Sequence, residues 1–241
     1  MKKLFLIIFA GALTFNVNGQ PPMYDDLLIY FADGDYQKLV SKAEKYMSDS
    51  DTKSDPLVYL YASKGNFEMS KDQKYEEDFP KAYNDAIKNA GKALKNDKDG
   101  SVFDEHKKYF TELKEAVVEE LRNMVDVGDY SRMRGTIIKV QRLDPTDVGS
   151  QYLMAAAKYN LKDKSGGKEA LKEAEAALAE VTSVEDWREV DLLMLRMGVL
   201  EYSKYLIDAR QPDGAKTLLG KVKQWFEEDE IFMEFYNEYV N

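Results

Sequence analysis

The chain has 241 residues, with 44 acidic and 34 basic side chains, a net charge of −10 at pH 7, one histidine and no cysteine. The lack of cysteine excludes disulfides, thiolate catalysis and cysteine metal sites. The acidic balance argues against nucleic acid or an anionic membrane surface as a partner, because both select basic faces. Proline is scarce, and alanine, leucine, glutamate and lysine are abundant, so the composition favours helix over most of the chain.

The first 19 residues have the layout of a secretory signal peptide. A positive start at residues 1–3 precedes an apolar run over residues 4–15, which is shorter than the roughly 20 residues that span a bilayer. A cut between Gly19 and Gln20 would release a chain without a lipid-attachment cysteine. We therefore expect a periplasmic or secreted protein with no transmembrane segment after cleavage. An uncleaved N-terminal membrane anchor is the alternative.

Apolar residues at three- and four-residue spacing predict about ten helices in five hairpins, with a short final helix and no strand. The predicted helices cover residues 24–32, 37–47, 56–70, 80–94, 101–127, 131–143, 147–161, 168–181, 183–209, 212–226 and 230–240. The connections are short, so successive helices should be antiparallel neighbours. Hairpins of this length cannot bury both faces alone, and stacking them makes a solenoid.

Local signals place the ends of several predicted helices. Ser101 with Asp104 and Ser183 with Asp186 resemble capping pairs, a hydroxyl followed three residues later by an acid. Residues 162–167, which include two glycines, are expected to form a loop between two helices. These signals predict one unbroken helix over residues 101–127 and another that starts at Ser183.

Gly-Asp-Tyr at residues 128–130, followed by Leu-Asp-Pro at residues 143–145, resembles the tetratricopeptide repeat, a helix hairpin of about 34 residues. Residues 34–36 repeat the Gly-Asp-Tyr turn. The resemblance implies an all-α solenoid of about five antiparallel helix hairpins, a TPR-like superhelix, over residues 20–241. Its turns would hold Gly34 and Gly128 in the left-handed conformation. A non-repeating helical fold is the alternative, since the last unit lacks the turn.

In the tetratricopeptide family the first helix of each hairpin lines a concave groove, and the matching positions can be transferred to this sequence. They are Tyr24, Leu28, Phe31, Tyr59, Ser63, Asn66, Val118, Arg122, Val125, Ser150, Met154 and Lys158. The resemblance implies a mixed aromatic and polar groove for an extended or helical peptide. The alternative is that these side chains pack against adjacent helices.

Motifs for catalysis, metals and cofactors give no convincing match, so no catalytic residue, metal or cofactor is predicted. Residues 97–100 echo a calcium loop, but Lys95 and His106 stand at the first and twelfth positions, where oxygen ligands are needed. A single histidine also rules out a two-histidine zinc motif. A hydrolase with a pair of carboxylates stays open only because acids are plentiful.

Large apolar side chains crowd into an acidic stretch at the C-terminus. They are Trp225, Phe226, Ile231, Phe232, Phe235, Tyr236 and Tyr239. A terminal helix that covers the exposed core of a solenoid would look like this. A docking surface is the alternative, because aromatic residues anchor interfaces.

These observations favour a non-enzymatic scaffold or adaptor that binds a protein or peptide partner outside the cytoplasm. By analogy of fold, a cell-envelope or secretion assembly is its natural setting. The alternative is a component that binds a small molecule or glycan, for which the 16 tyrosines give some support.

Overall fold

The computed structural model describes residues 24–240, and this part of the chain contains twelve α-helices, two short 3-10 helices and no strand. The α-helices are α1 (Asp25–Ala32), α2 (Tyr36–Ser48), α3 (Pro56–Ser70), α4 (Ala82–Asn96), α5 (Ser101–Glu105), α6 (Lys107–Asp126), α7 (Tyr130–Leu143), α8 (Val148–Asn160), α9 (Lys164–Ala179), α10 (Glu189–Asp208), α11 (Pro212–Val222) and α12 (Glu230–Val240). The 3-10 helices are Gln73–Tyr75 and Lys223–Trp225. The all-α class is confirmed. The predicted signal peptide lies outside the described residues.

The helices form five pairs of chain neighbours. α1 lies on α2, α3 on α4, α6 on α7, α8 on α9, and α10 on α11. Contacts of α2 with α3, of α4 with α7 and of α8 with α10 join successive pairs, and α8 packs on α10 at least as extensively as on α9. No helix in the described part of the chain is both long and apolar enough to cross a membrane. A continuous superhelix of five hairpins stays a prediction.

One backbone turn recurs four times, each time between the two helices of a pair. It is centred on a residue with positive φ, namely Gly34 (74°), Gly128 (67°), Lys162 (66°) and Arg210 (59°). In each case the next residue's N–H donates to the carbonyl oxygen five positions earlier, over 2.8 to 2.9 Å. This is the Schellman arrangement that ends a helix. The left-handed conformation predicted for the two glycines is confirmed, and the lysine and arginine extend the pattern.

The helix predicted over residues 101–127 is not continuous, because His106 breaks it into α5 and α6. The predicted Ser101 cap is also wrong. The Asp97 carboxylate accepts two backbone N–H groups from the first turn of α5, at 2.8 and 3.2 Å. The His106 carbonyl then accepts two N–H groups from the start of α6. A second helix therefore starts at Lys107. The spacing of the apolar residues continues through this point, so the sequence pattern does not reveal the break.

The loop predicted at residues 162–167 is shorter than expected, because α9 already begins at Lys164. The Asp163 carboxylate accepts the Gly166 N–H at 2.9 Å and caps this helix. Gly167 lies against the ring of Tyr159, where an added Cβ would come within 2.8 Å of the ring. Gly167 therefore serves close helix packing, and Gly166 leaves room for the capping carboxylate of Asp163.

The helix predicted to start at Ser183 begins only at Glu189. The Ser183 hydroxyl accepts the N–H of Glu185 in a local turn, and the capping carboxylate belongs to Asp191. It accepts the backbone N–H of Arg188 at 3.3 Å. The predicted Ser183 and Asp186 cap is therefore wrong, because a second acid three residues after Arg188 competes for the helix start.

Candidate functional site

Seven of the twelve residues predicted to line a partner groove are buried in the single chain. They are Tyr24, Tyr59, Ser63, Asn66, Val118, Ser150 and Met154. The Ser63 hydroxyl, for example, donates to the Ala86 carbonyl at 2.6 Å and lies 2.6 Å from the Tyr109 hydroxyl. Tyr24, Tyr59, Val118 and Met154 belong to the hydrophobic core, whereas Asn66 and Ser150 donate to carbonyl groups of their own helix or its N-cap.

The side chains of the other five predicted groove residues are at least partly accessible to solvent. Leu28 is 51% exposed, Arg122 is exposed, and Phe31, Val125 and Lys158 are half-buried. The groove itself stays a prediction, and these five residues are the ones that a partner could contact.

A partly buried lysine adds a cation to the surface beside Phe31. The Lys64 ammonium lies 5.5 Å from the ring centres of Phe31 and Tyr61 and 5.6 Å from that of Tyr109. It also lies 3.4 Å from Nδ1 of His106. Burial lowers the pKa of Lys64, and burial followed by the charge of Lys64 lowers the pKa of His106. This arrangement makes a mixed aromatic and cationic surface beside α1.

A buried lysine forms the centre of the strongest polar cluster. The Lys114 ammonium on α6 donates to carboxylates of Asp144 (2.9 Å), Asp147 (2.6 Å) and Asp191 (2.7 Å). Its side chain is only 1% exposed. Arg188 binds the same group, through Asp191 at 2.7 Å and Asp144 at 3.4 Å. We call these five residues the Lys114 cluster.

Burial and charge act against each other in the Lys114 cluster. Burial alone would lower the pKa of Lys114, but the negative charges of Asp147, Asp144 and Asp191 raise it well above its usual range. Burial raises the pKa of Asp147. For Asp191, hydrogen bonds from Arg188 and the charge of Lys114 outweigh burial and hold its pKa below the usual range. Lys114 is therefore held as an ammonium.

The three carboxylates have a spacing that could also suit a metal ion. Oxygens of Asp144, Asp147 and Asp191 lie within 4.8 Å of one another, and carboxylates are the ligands that Ca²⁺ and Mg²⁺ prefer. The Lys114 ammonium, however, hydrogen-bonds all three, so it provides the cation here. The cluster therefore ties α6 to the start of α8 and to α10.

A cavity of 270 Å³ opens beside the Lys114 cluster, and its lining includes Phe103, Lys107 and Trp187. Sequence reasoning missed this site. One signal was present, because Lys114 stands four residues after Phe110 and four before Val118, inside a predicted apolar stripe. A lysine there needs buried partners.

Four tyrosines form a second notable group, on α8 and α10. The rings of Tyr159 and Tyr205 stack with centres 4.8 Å apart and planes 9° apart, and those of Tyr152 and Tyr202 lie 5.9 Å apart. Tyr152 and Tyr202 line a cleft of 400 Å³ that also includes Glu175 of α9. We call this the tyrosine cleft.

The C-terminal aromatic residues divide between the core and the surface. Phe232 is fully buried, and its ring lies 5.0 Å from that of the buried Phe226. Ile231 is 58% exposed and Tyr239 is 36% exposed. One stripe of α12 thus covers α11, and the other faces outward.

Comparisons with family models, with curated proteins and with solved structures gave no match. Inference about function therefore depends on the described side chains and on the repeated turn.

Proposed function

We propose that this chain is a TPR-like adaptor that binds a protein or peptide partner outside the cytoplasm, within a cell-envelope or secretion assembly. The observation that supports the proposal best is the recurrence of one Schellman turn between paired helices. Its occurrences at Gly128 and Lys162 lie 34 positions apart (162 minus 128), the length of one tetratricopeptide unit. Stacked units of this kind create extended concave surfaces that serve as binding faces.

In this proposal the first helices of the pairs, α1, α3, α6, α8 and α10, face the partner. The exposed Leu28, the half-buried Phe31 and the ammonium of Lys64 then form one end of the binding face. Aromatic and cationic groups next to exposed apolar side chains are typical anchors for a peptide.

Site-specific crosslinking in the native cell tests the proposal. A photo-crosslinking residue in place of Leu28 should capture a discrete partner, whereas one in place of Lys168, exposed on α9, should not. Leu28→Glu should abolish capture by a crosslinker placed at Arg122, because the contact surface would be disrupted. Equal labelling from Leu28 and Lys168, or none from either, would sink the adaptor proposal. Fractionation of the same cells tests the extracytoplasmic location.

The tyrosine cleft supports a second candidate function, the binding of a small molecule or glycan. A cleft of 400 Å³ is within the usual size for such ligands, and two tyrosines, Tyr152 and Tyr202, contribute to its lining. This alternative predicts a saturable thermal shift with a soluble ligand, which Tyr202→Ala removes and Leu28→Glu leaves intact. The adaptor proposal predicts the opposite pattern for partner capture, which Leu28→Glu should abolish and Tyr202→Ala should leave intact.

A further inference from the structure

A basic groove lies between α4 and the C-terminal end of α7, on the second helices of their pairs. Its volume is 530 Å³. Its lining consists of four cationic side chains, one amide side chain and three smaller or apolar residues, namely Lys88, Lys92, Lys95, Arg142, Gln141, Gly91, Leu94 and Pro145. We call this the basic groove.

The charge of the basic groove is not neutralised within the described part of the chain. All four cationic side chains are exposed, and none of them forms an ion pair with a described residue. Four other cavities along residues 24–240 each include at least two carboxylates in their lining. Acidic residues outnumber basic ones by 44 to 34 in this chain. A cavity whose charged lining residues are all cationic is therefore unexpected from the composition.

The two helices hold the basic groove in a fixed shape. A Cβ added at Gly91 would lie 2.9 Å from the Arg142 carbonyl oxygen, so the backbone of α4 meets the end of α7 at this point. The Lys92 ammonium lies 5.2 Å from the ring centre of Tyr59, which orients one cation. The backbone that forms the walls of the groove is therefore fixed before a ligand binds.

Two lysines of α4 have nearly the spacing of alternate residues in an extended peptide. Lys88, Lys92 and Lys95 share one helix face, and Lys92 lies about 6 Å along the axis from Lys88. Alternate residues of an extended strand are about 6.6 Å apart. Acids at alternate positions of an extended segment can therefore face Lys88 and Lys92, and Lys95 lies about 4.5 Å further along the axis from Lys92.

We propose that the basic groove binds an extended acidic segment of a partner polypeptide, with carboxylates at alternate positions. The inference rests on the proposed adaptor function and adds a second contact surface with a defined charge. A short peptide suits this site better than nucleic acid, because the net charge of −10 repels a long polyanion that extends beyond the groove.

Fluorescence anisotropy with the purified protein tests the proposal. The probe is a dye-labelled peptide of about ten residues with glutamates at alternate positions and leucines between them, and the matched peptide carries glutamines instead. Lys88→Glu/Lys92→Glu should weaken binding of the glutamate peptide at least tenfold. Raising the salt from about 50 mM to about 500 mM should weaken it as well.

Lys168→Glu/Lys172→Glu on α9 is the matched control, because both residues are exposed, have the same spacing and lie outside the groove. Circular dichroism and the unfolding midpoint should be the same for both double variants. Equal binding of the glutamine peptide, or equal loss in the control variant, would overturn the proposal. Groove-dependent binding of a heparin fragment or a DNA oligonucleotide without binding of the peptide would overturn it too. Crosslinking at Leu28 reports on the adaptor function separately, since that residue is not in the groove.

Discussion

Lysines occur in two opposite settings in this molecule. Lys114 is buried, and three carboxylates accept hydrogen bonds from its ammonium. Lys88, Lys92 and Lys95 are exposed on one face of α4 and lack a carboxylate partner among the described residues. A buried cation without partners would be too costly to retain, whereas an exposed one is solvated by water. Lys114 therefore serves the fold, and the lysines of α4 are free to serve a partner.

Replacing Lys114 is expected to have the largest effect on stability. Lys114→Met leaves Asp144, Asp147 and Asp191 buried or half-buried with only Arg188 as a cation, which should cost about 3 to 5 kcal/mol of the free energy of unfolding. Chemical denaturation measures this loss. Lys107→Met is the control, because Lys107 is exposed and lines the adjacent cavity, and its effect should stay within about 0.5 kcal/mol. Equal effects of the two substitutions would mean that the Lys114 cluster does not stabilise the fold.

The stability gap between the wild type and Lys114→Met should depend on pH on both sides of neutrality. The pKa of Lys114 is raised in the folded state, so its contribution is complete below the unfolded value of about 10.4 and is lost as pH rises through the folded value. The pKa of Asp191 is lowered, so its contribution is present above about 3.9 and is lost as pH falls through the folded value. Denaturation at a series of pH values should show a gap that is widest near neutral pH and narrows at both extremes. A gap that does not change with pH would argue for lost packing rather than lost charge pairing.

A third kind of lysine setting is the left-handed turn at Lys162, where the backbone sets the conformation. Gly128 has the same φ region without a side chain, and a left-handed non-glycine residue costs roughly 1 to 2 kcal/mol. Lys162→Gly should therefore raise the free energy of unfolding by about 0.5 kcal/mol after the entropy of glycine is subtracted. Gly128→Lys should lower it by about 1 kcal/mol or more. Thermal unfolding measures both changes. A more stable Lys162→Gly and a less stable Gly128→Lys would support the same turn conformation at both positions, and a loss of stability in both variants would count against it.

How much could be predicted from the sequence depends on whether a feature is set by residues close in the chain or by residues far apart in it. The all-α class and the turns at Gly34 and Gly128 depend on neighbouring residues, and the structure confirms both, although the breaks at His106 and before Glu189 were not predicted. The Lys114 cluster was missed because the partners lie 30, 33 and 77 positions from the lysine. Contacts between residues so far apart in the chain depend on how the helix pairs stack, and no local sequence pattern predicts that stacking.

The sequence left open whether the predicted groove residues are buried, for a related reason. The tetratricopeptide resemblance predicts which helix comes first in each pair, but whether a position faces solvent depends on how closely the next pair approaches. Gly149 is an example, because an added Cβ there would lie 2.1 Å from the Met194 carbonyl oxygen on α10. This close approach of α8 and α10 accompanies the burial of Ser150 and Met154. The more exposed Leu28 and Arg122 are less constrained by such contacts.

The smallest expected effect separates a structural role of the α4 lysines from a binding role. Like charges four positions apart on a helix repel each other, and a Glu–Lys pair at that spacing stabilises a helix by about 0.3 kcal/mol. Lys88→Glu places a glutamate four residues before Lys92, so it should leave the free energy of unfolding unchanged or raise it slightly while it weakens binding of the acidic peptide. Thermal unfolding and anisotropy on the same sample measure both quantities. A clear loss of stability would show that Lys88 supports the fold. An unchanged or higher stability with weaker binding would mean that Lys88 does not stabilise the fold and serves the partner.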